Sequence, residues 1–373
     1  MKKLFANILL LLLPFAAQGQ TDGRANVYFT SEITPQPLVR IYRALGVEAT
    51  GRVAVKISTG ESEQSNHLRP DFIRDLVEEV HGTLVECNTA YAGNRSSTAA
   101  HRRAIEERGY NDIAQVDIMD EEGSIDIPVA DTTHLRFDRV GSHVANYDFL
   151  INLAHFKGHA MGGFGGVLKN QSIGMASREG KTLIHTAGDY SNPGQVFGNR
   201  RGQDAFLESM AAAAQAVHNY YGGRVIYIDV MNNLSVDCDC DGHPSAPRMN
   251  DIGILASLDP VALDKACLDL VFNHESTPGD DSGPLIERIN RQHGTHIVDY
   301  AEQIGLGTTA YNLIDIDRQG TGIANVPGES GAVNLYNVYT LDGVKMLDRA
   351  SSLDGLSPGI YIVNGKKTAV PLH

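Results

Sequence analysis

Between positions 153 and 170 the chain reads Leu153-Ala-His-Phe-Lys-Gly-His-Ala-Met-Gly-Gly-Phe-Gly-Gly-Val-Leu-Lys-Asn, directly after an apolar run. His155, Lys157 and His159 have even offsets, so an extended chain points all three to one side; a helix would also bring His155 and His159 together. Imidazoles titrate in the range useful for proton transfer, and Lys157 and Lys169 can hold an anion or offset developing negative charge. His155, Lys157, His159 and Lys169 are therefore the candidate catalytic groups. Gly162, Gly163, Gly165 and Gly166 let backbone N–H groups approach a bound anion closely, with Asn170 beside them. Neither nucleotide motif is present, because Phe164 stands where a phosphate-binding loop needs lysine and Leu168 where a dinucleotide fingerprint needs its third glycine.

A second segment, Asp237-Cys-Asp-Cys-Asp-Gly-His-Pro, offers thiols flanked by carboxylates. Cys238 and Cys240, with His155, His159 and His185, form a candidate set for one transition metal such as zinc, iron or nickel. The alternatives are a redox-active thiol pair or a structural turn. Two residues apart, Cys238 and Cys240 are expected not to bond to each other, which leaves Cys87 and Cys267 either as a structural pair or as two buried inert thiols. Ser177, Arg178 and Lys181 add polar groups that suit a carboxylate or phosphate. Lys56 and the stretch Asn88 to Arg95 follow other strand-like runs and are placed to line the same cleft; His101, in a helical stretch, is expected to have no role.

These groups need a scaffold. Short β-branched runs alternate with amphipathic stretches, which predicts an α/β fold, a mostly parallel layered sheet with flanking helices. The predicted strands are 27–31, 53–58, 83–86, 149–153, 225–230 and 252–256. Helices are predicted to open at Pro70 and, capped by Asp259, at Pro260. Residues 1–20, with Lys2 and Lys3 ahead of a short apolar run, read as a cleaved signal peptide and predict export without a stable membrane span. The α/β domain is expected over 21–318, a Gly-, Ser- and Pro-rich linker over 319–331, and a small all-β tail over 332–373. With 373 residues and a formal charge of −14, the chain is large enough for a core without disulfides, and its charge argues against nucleic-acid binding.

Several segments in order resemble the domain-of-unknown-function 362 family, often labelled iron-sulfur-centre proteins. They are His155-Phe-Lys-Gly-His, Gly162 to Asn170, Gly174-Met-Ala-Ser-Arg-Glu-Gly-Lys, Asp237-Cys-Asp-Cys, Asp251 to Ala266 and Tyr300-Ala-Glu-Gln-Ile-Gly-Leu-Gly. Many relatives carry a cysteine-rich ferredoxin-like insert after the segment that here ends at His185. Thr186 to Gly202 contains no cysteine, so a 4Fe-4S cluster is not expected there. A weaker likeness to nickel-pincer lactate racemases rests on His155, His159, Gly162 to Gly166 and Lys169. The tail, above all Leu353 to Lys367, resembles sorting domains of the type IX secretion route and implies contact with that machinery, with the periplasm, cell surface or medium as destination. The expected function is a metal- or cofactor-assisted enzyme acting on a small anionic substrate. A non-catalytic binding protein and an inactive surface protein are the alternatives.

Overall fold

The computed structural model describes residues 23–317 and, in the tail, 336–340, 345–350, 356, 359–363 and 366–370. The expected signal peptide and linker lie outside the described residues. The chain divides into two compact units, Met1–Gly320 and Thr321–His373.

The strands of the first unit are β1 (Ala25–Thr30), β2 (Val53–Lys56), β3 (Thr83–Glu86), β4 (Val116–Ile118), β5 (Ser124–Ile127), β6 (Asp138–Gly141), β7 (Phe149–His155), β8 (Lys157–His159), β9 (Gly163–Gly165), β10 (Val225–Met231), β11 (Gly253–Ser257) and β12 (Tyr311–Asp315). Its helices are α1 (Pro35–Ala44), α2 (Pro70–Glu79), α3 (Thr98–Glu107), α4 (Val167–Met175), α5 (Arg178–His185), α6 (Gln203–Tyr220), α7 (Pro260–Phe272), α8 (Gly283–Arg291) and α9 (His296–Gln303). Eight strands form one sheet in the order β12-β1-β11-β10-β7-β2-β3-β4. β11 runs antiparallel to both its neighbours and the remaining pairings are parallel. This is the mostly parallel α/β fold that the sequence pattern predicts. In the tail, four strands pair antiparallel in the order β14-β13-β15-β16, namely Lys345–Ala350, Tyr336–Tyr339, Gly359–Val363 and Lys366–Val370.

Period-two alternation sends side chains from each central strand into two separate cores. From β7 and β10, Leu150, Ala154, Val225, Tyr227 and Met231 join a core with α4, α6, α7, α8 and α9. Phe149, Ile151, Leu153, Ile226, Ile228 and Val230 join the opposite core with α1 and α2. A strand buried on both faces reads as a continuous apolar run, which is why β7 and β10 were legible. α2 starts at Pro70, and α7 starts at Pro260, with Asp259 accepting the Val261 and Ala262 N–H groups at 2.9 Å.

The Gly-rich stretch forms an antiparallel hairpin, β8 with β9, and then α4. The first free N–H groups of α4 do not wait for an external anion. Asp264 of α7 accepts them, from Val167 at 2.9 Å and from Leu168 at 3.1 Å. Glycine is required at 166, since a Cβ there would lie 2.3 Å from Asp264 Oδ1 and 2.9 Å from Asp229 Oδ2. Burial and the neighbouring Asp264 raise the Asp229 carboxyl well above its ordinary value, so the pair holds a proton on Asp229 and the charge on Asp264, where the helix end favours it.

Unfolded, both carboxyls titrate near pH 4. Because the folded values are raised, the pair's contribution to stability is complete below about pH 4 and declines as pH rises towards the folded values. Asp229→Asn keeps the shape and a donor without the titration. Its melting temperature is expected to fall less between pH 5 and pH 9 than that of the parent chain; Asp138, pushed by burial up to about 8, retains part of the slope. Equal slopes in thermal melts would refute the shared proton.

Candidate functional site

The parallel strands β2, β3, β7 and β10 end side by side, with Lys56 in register with Asn152 and with Val85, and His155 in register with Val230. Ligands in open α/β sheets bind at this carboxyl edge. Beyond it lies a cavity of about 70 Å³, room for a few waters or a small acid of similar bulk.

One buried carboxylate assembles the edge. Asp239, between the two cysteines, accepts from Lys157 Nζ at 2.7 Å and faces His155 Nδ1 at 2.9 Å. Burial alone would raise its carboxyl, but Lys157 and His155 overcome that and hold it far below the usual range. His155 Nε2 donates to the Asn232 carbonyl at 2.6 Å, so the ring keeps no nitrogen for a metal. The segment also seats against β8, where Gly158 donates to the Ser235 carbonyl at 2.8 Å and a Cβ at 158 would lie 2.3 Å from the Val236 carbonyl oxygen. The Gly-rich stretch and the Cys-x-Cys turn therefore meet. His159 and Cys240 line the cavity, while His155 and Lys157 serve as struts behind it.

The cysteine pairing departs from expectation. Cys238 and Cys240 form a disulfide, and Cys87 and Cys267 are free and buried. An extended chain would hold neighbouring same-side residues too far apart, but here a turn closed by Asp241 N–H to the Cys238 carbonyl at 2.9 Å draws the Cα atoms to 5.2 Å, within the usual disulfide range.

The remaining candidates divide similarly. Lys56, Lys169, Asn170 and His185 line the cavity, as do Thr89, Ala90, Tyr91, Arg95 and Lys181. Gly162 donates to His159 Nδ1 at 2.8 Å, Gly163 packs on Gly294, and Gly165 sits beside Lys157 and Lys169. Ser177 caps α5 through the Gly180 N–H, and Arg178 donates to the Thr89 carbonyl at 3.1 Å. Sequence reasoning missed Glu86, which ties Lys56 at 3.1 Å and Arg95 at 3.1 Å together under the cavity floor; a charged residue closing the apolar run of β3 was the available signal. His101, expected idle, is buried against Thr59 at 3.2 Å and Asn88 at 3.3 Å, supporting that floor.

Four cationic side chains, Lys56, Arg95, Lys169 and Lys181, line the cavity against one carboxylate, Glu86. Lys56 and Arg95 are paired with Glu86, and Lys181 Nζ donates to the Ala176 carbonyl at 2.5 Å. Among the described residues the Lys169 amine has no hydrogen-bond or ion-pair partner. Burial and the neighbouring Lys157 push its ammonium down to about 7.

The two cavity histidines present opposite faces of the imidazole. His185 Nδ1 donates to the Lys181 carbonyl at 2.7 Å, so its Nε2 is a bare acceptor, and burial pushes the ring down to about 4. His159 Nδ1 accepts the N–H groups of Met161 at 3.2 Å and Gly162 at 2.8 Å, so its Nε2 carries the proton. Burial and then Lys169 hold His159 well below its ordinary value, leaving it a neutral donor.

The pattern of the domain of unknown function DUF362 matches residues 53–269, more than half of the chain. The chain belongs to the DUF362 family. No curated protein matches it. Among solved structures, this DUF362 chain is similar to the lactate racemase apoprotein from Thermoanaerobacterium thermosaccharolyticum, at 15% identity and a TM-score of 0.34 over 57% of this chain and 52% of that one. It is also similar to a structural-genomics protein from Thermotoga maritima, at 10% identity and a TM-score of 0.36 over 72% and 58%. The chain thus spans little more than half the length of each of these two structures. Neither likeness carries a ligand or a reaction to it.

Two groups of side chains among the described residues have the proximity a metal needs: His159, Cys238 and Cys240, with donor atoms within 4.8 Å of one another, and Asp117, Glu121 and His143. The first does not fit a metal as built, since its sulfurs are joined to each other and the free nitrogen of His159 carries a proton. A four-iron cluster fits less well, because it takes four thiolates and no described group gathers more than two sulfurs. No helix among the described residues is long and apolar enough to cross a membrane.

Removing one partner of a buried ion pair leaves the other charge unpaired. Asp239→Asn is therefore expected to lower stability by about 3 kcal/mol in urea unfolding, and Asp239→Asn with Lys157→Met to recover part of that loss. A single variant as stable as the parent would show that Asp239 does not anchor the edge.

Proposed function

We propose that this protein is an enzyme acting on a small anionic substrate, held in the cavity at the carboxyl edge of the sheet by the Lys169 ammonium. The unpartnered amine carries the proposal. Every other cation of the lining has a partner of its own, and the local excess of positive charge stands against a chain of −14 overall. In this reading His185 Nε2 accepts a proton from the bound molecule and His159 Nε2–H donates to it, a division of labour set by their fixed tautomers. Lys181 and Arg95 supply the surrounding field, while Lys56 and Glu86 fix the floor. No step passes through a metal, since the donor set does not fit one.

An amine that titrates near 7 is mostly charged at pH 6 and mostly neutral at pH 8. Affinity for carboxylates of two to four carbons, measured by calorimetry, is therefore expected to fall with rising pH, by up to about tenfold per unit above the amine's value. Lys169→Met is expected to lose both the binding and the rise in melting temperature that it brings. The proposal fails if no small anion binds, or if the variant binds as the parent does. A carboxylate that binds through Lys169 yet emerges chemically unchanged would assign capture rather than catalysis.

The tail is proposed to act as the sorting signal for export, on the strength of its all-β composition and its sequence resemblance. Deleting residues 332–373 is expected to retain the protein in the periplasm of a host with that route, as fractionation would show; normal release would remove the assignment.

A further inference from the structure

Three properties of the Cys238–Cys240 disulfide are ill suited to a structural staple. It closes a loop of only three residues, the length at which constraining the unfolded chain stabilises least. Asp239 within that loop is already fixed by Lys157 and His155, so the turn has an anchor of its own. And the bond is not sealed in the core: Cys238 is buried, whereas Cys240 is half-buried and lines the cavity.

The surroundings suit sulfur that must carry charge. The Cys240 N–H points at Cys238 Sγ from 3.2 Å, and a ring nitrogen of His159 lies within 4.8 Å of both sulfurs. A hydrogen-bond donor stabilises a thiolate over a thiol. Cys87, which also lines the cavity, is the contrasting case. Its thiol donates to the Met175 carbonyl at 3.3 Å, and burial pushes it far up, so it stays protonated and inert.

We infer that Cys238–Cys240 is a redox-active disulfide that exchanges with low-molecular-weight thiols bearing a carboxylate. The substrate class rests on the proposal that Lys169 binds small anions; the exchange itself does not. The substrate thiolate attacks Cys240 Sγ, the sulfur within reach of the cavity. A bond forms between the two sulfurs, the Cys238–Cys240 bond breaks, and its electron pair leaves on Cys238 Sγ beside the Cys240 N–H. A second substrate thiolate attacks the substrate sulfur of the mixed disulfide and releases Cys240 as thiolate. Two substrate thiols are thereby oxidised to one disulfide, two electrons reduce the Cys238–Cys240 bond, and the two protons given up end on the cysteine thiols or in solvent. The reverse sequence reduces a carboxylate-bearing disulfide.

The full chain, undenatured, is incubated with mercaptoacetate or with mercaptoethanol at equal thiolate concentration, alkylated, and mapped by peptide mass spectrometry. The expected result is alkylation of Cys238 and Cys240 together, with mercaptoacetate opening the pair about tenfold faster or more, the size of one hydrogen bond to a charged group. In Lys169→Met the ratio between the two thiols is expected to fall to about one. If neither thiol opens the pair until denaturant is added, the exchange is overturned whatever the cavity binds. If both open it at the same rate in the parent chain, the anion assignment is overturned and exchange with thiols in general stands.

Discussion

The site depends on a single buried carboxylate held by one ammonium and one imidazole. Asp239 reaches from the turn after β10 to His155 at the end of β7 and Lys157 at the start of β8, and so fastens segments distant in the chain to the same sheet edge. That contact, together with the Gly158 hydrogen bond to the Ser235 carbonyl, holds Cys240 beside His159. Its cost is that His155 and Lys157 are consumed by architecture. The free chemistry passes to the residues just behind them, Lys169, His159 and His185.

The same economy governs the helix that follows the glycines. A helix N-terminus at the carboxyl edge of an α/β sheet is a ready place for an external anion, yet α4 is met there by Asp264. Anion binding is thereby displaced from backbone N–H groups to side-chain ammonium. The two kinds of site respond differently to conditions: peptide N–H groups do not titrate, whereas an amine shifted towards neutrality does.

Much of the scaffold was legible in the sequence because strands buried on both faces leave long apolar runs, and because Pro70 and Asp259 mark helix starts in their immediate neighbourhood. Val116–Ile118 carries too few residues for periodicity to declare it, and Tyr311–Asp315, on the opposite edge, buries none of its five residues fully and so leaves no apolar run. At the site, the even spacing of His155, Lys157 and His159 suited an extended segment or a helix alike, and the chain is extended there, in β7 and β8. Which of the three would face the cavity was not legible, since that was decided by Asp239, 80 residues further on. The disulfide was misjudged for a related reason: two-residue spacing was read on an extended backbone, while a local turn set the distance. Glu86 escaped because its role follows from the neighbour relation of β2 and β3, which exists only once the sheet is assembled.

The reversed direction of β11 shapes the connection that leads into it. Because it enters the sheet from the end at which β10 leaves, residues 232–252 run out and back over the carboxyl edge without crossing to the far side. A parallel strand in that place would have demanded a crossover through one of the helical layers. The excursion can therefore change at its exposed positions, while Leu234 and Met249 keep it seated in one core. Change is tolerated best over the mostly exposed stretch 243–248, so one frame can keep the turn from Asp237 to Cys240 while altering what flanks it.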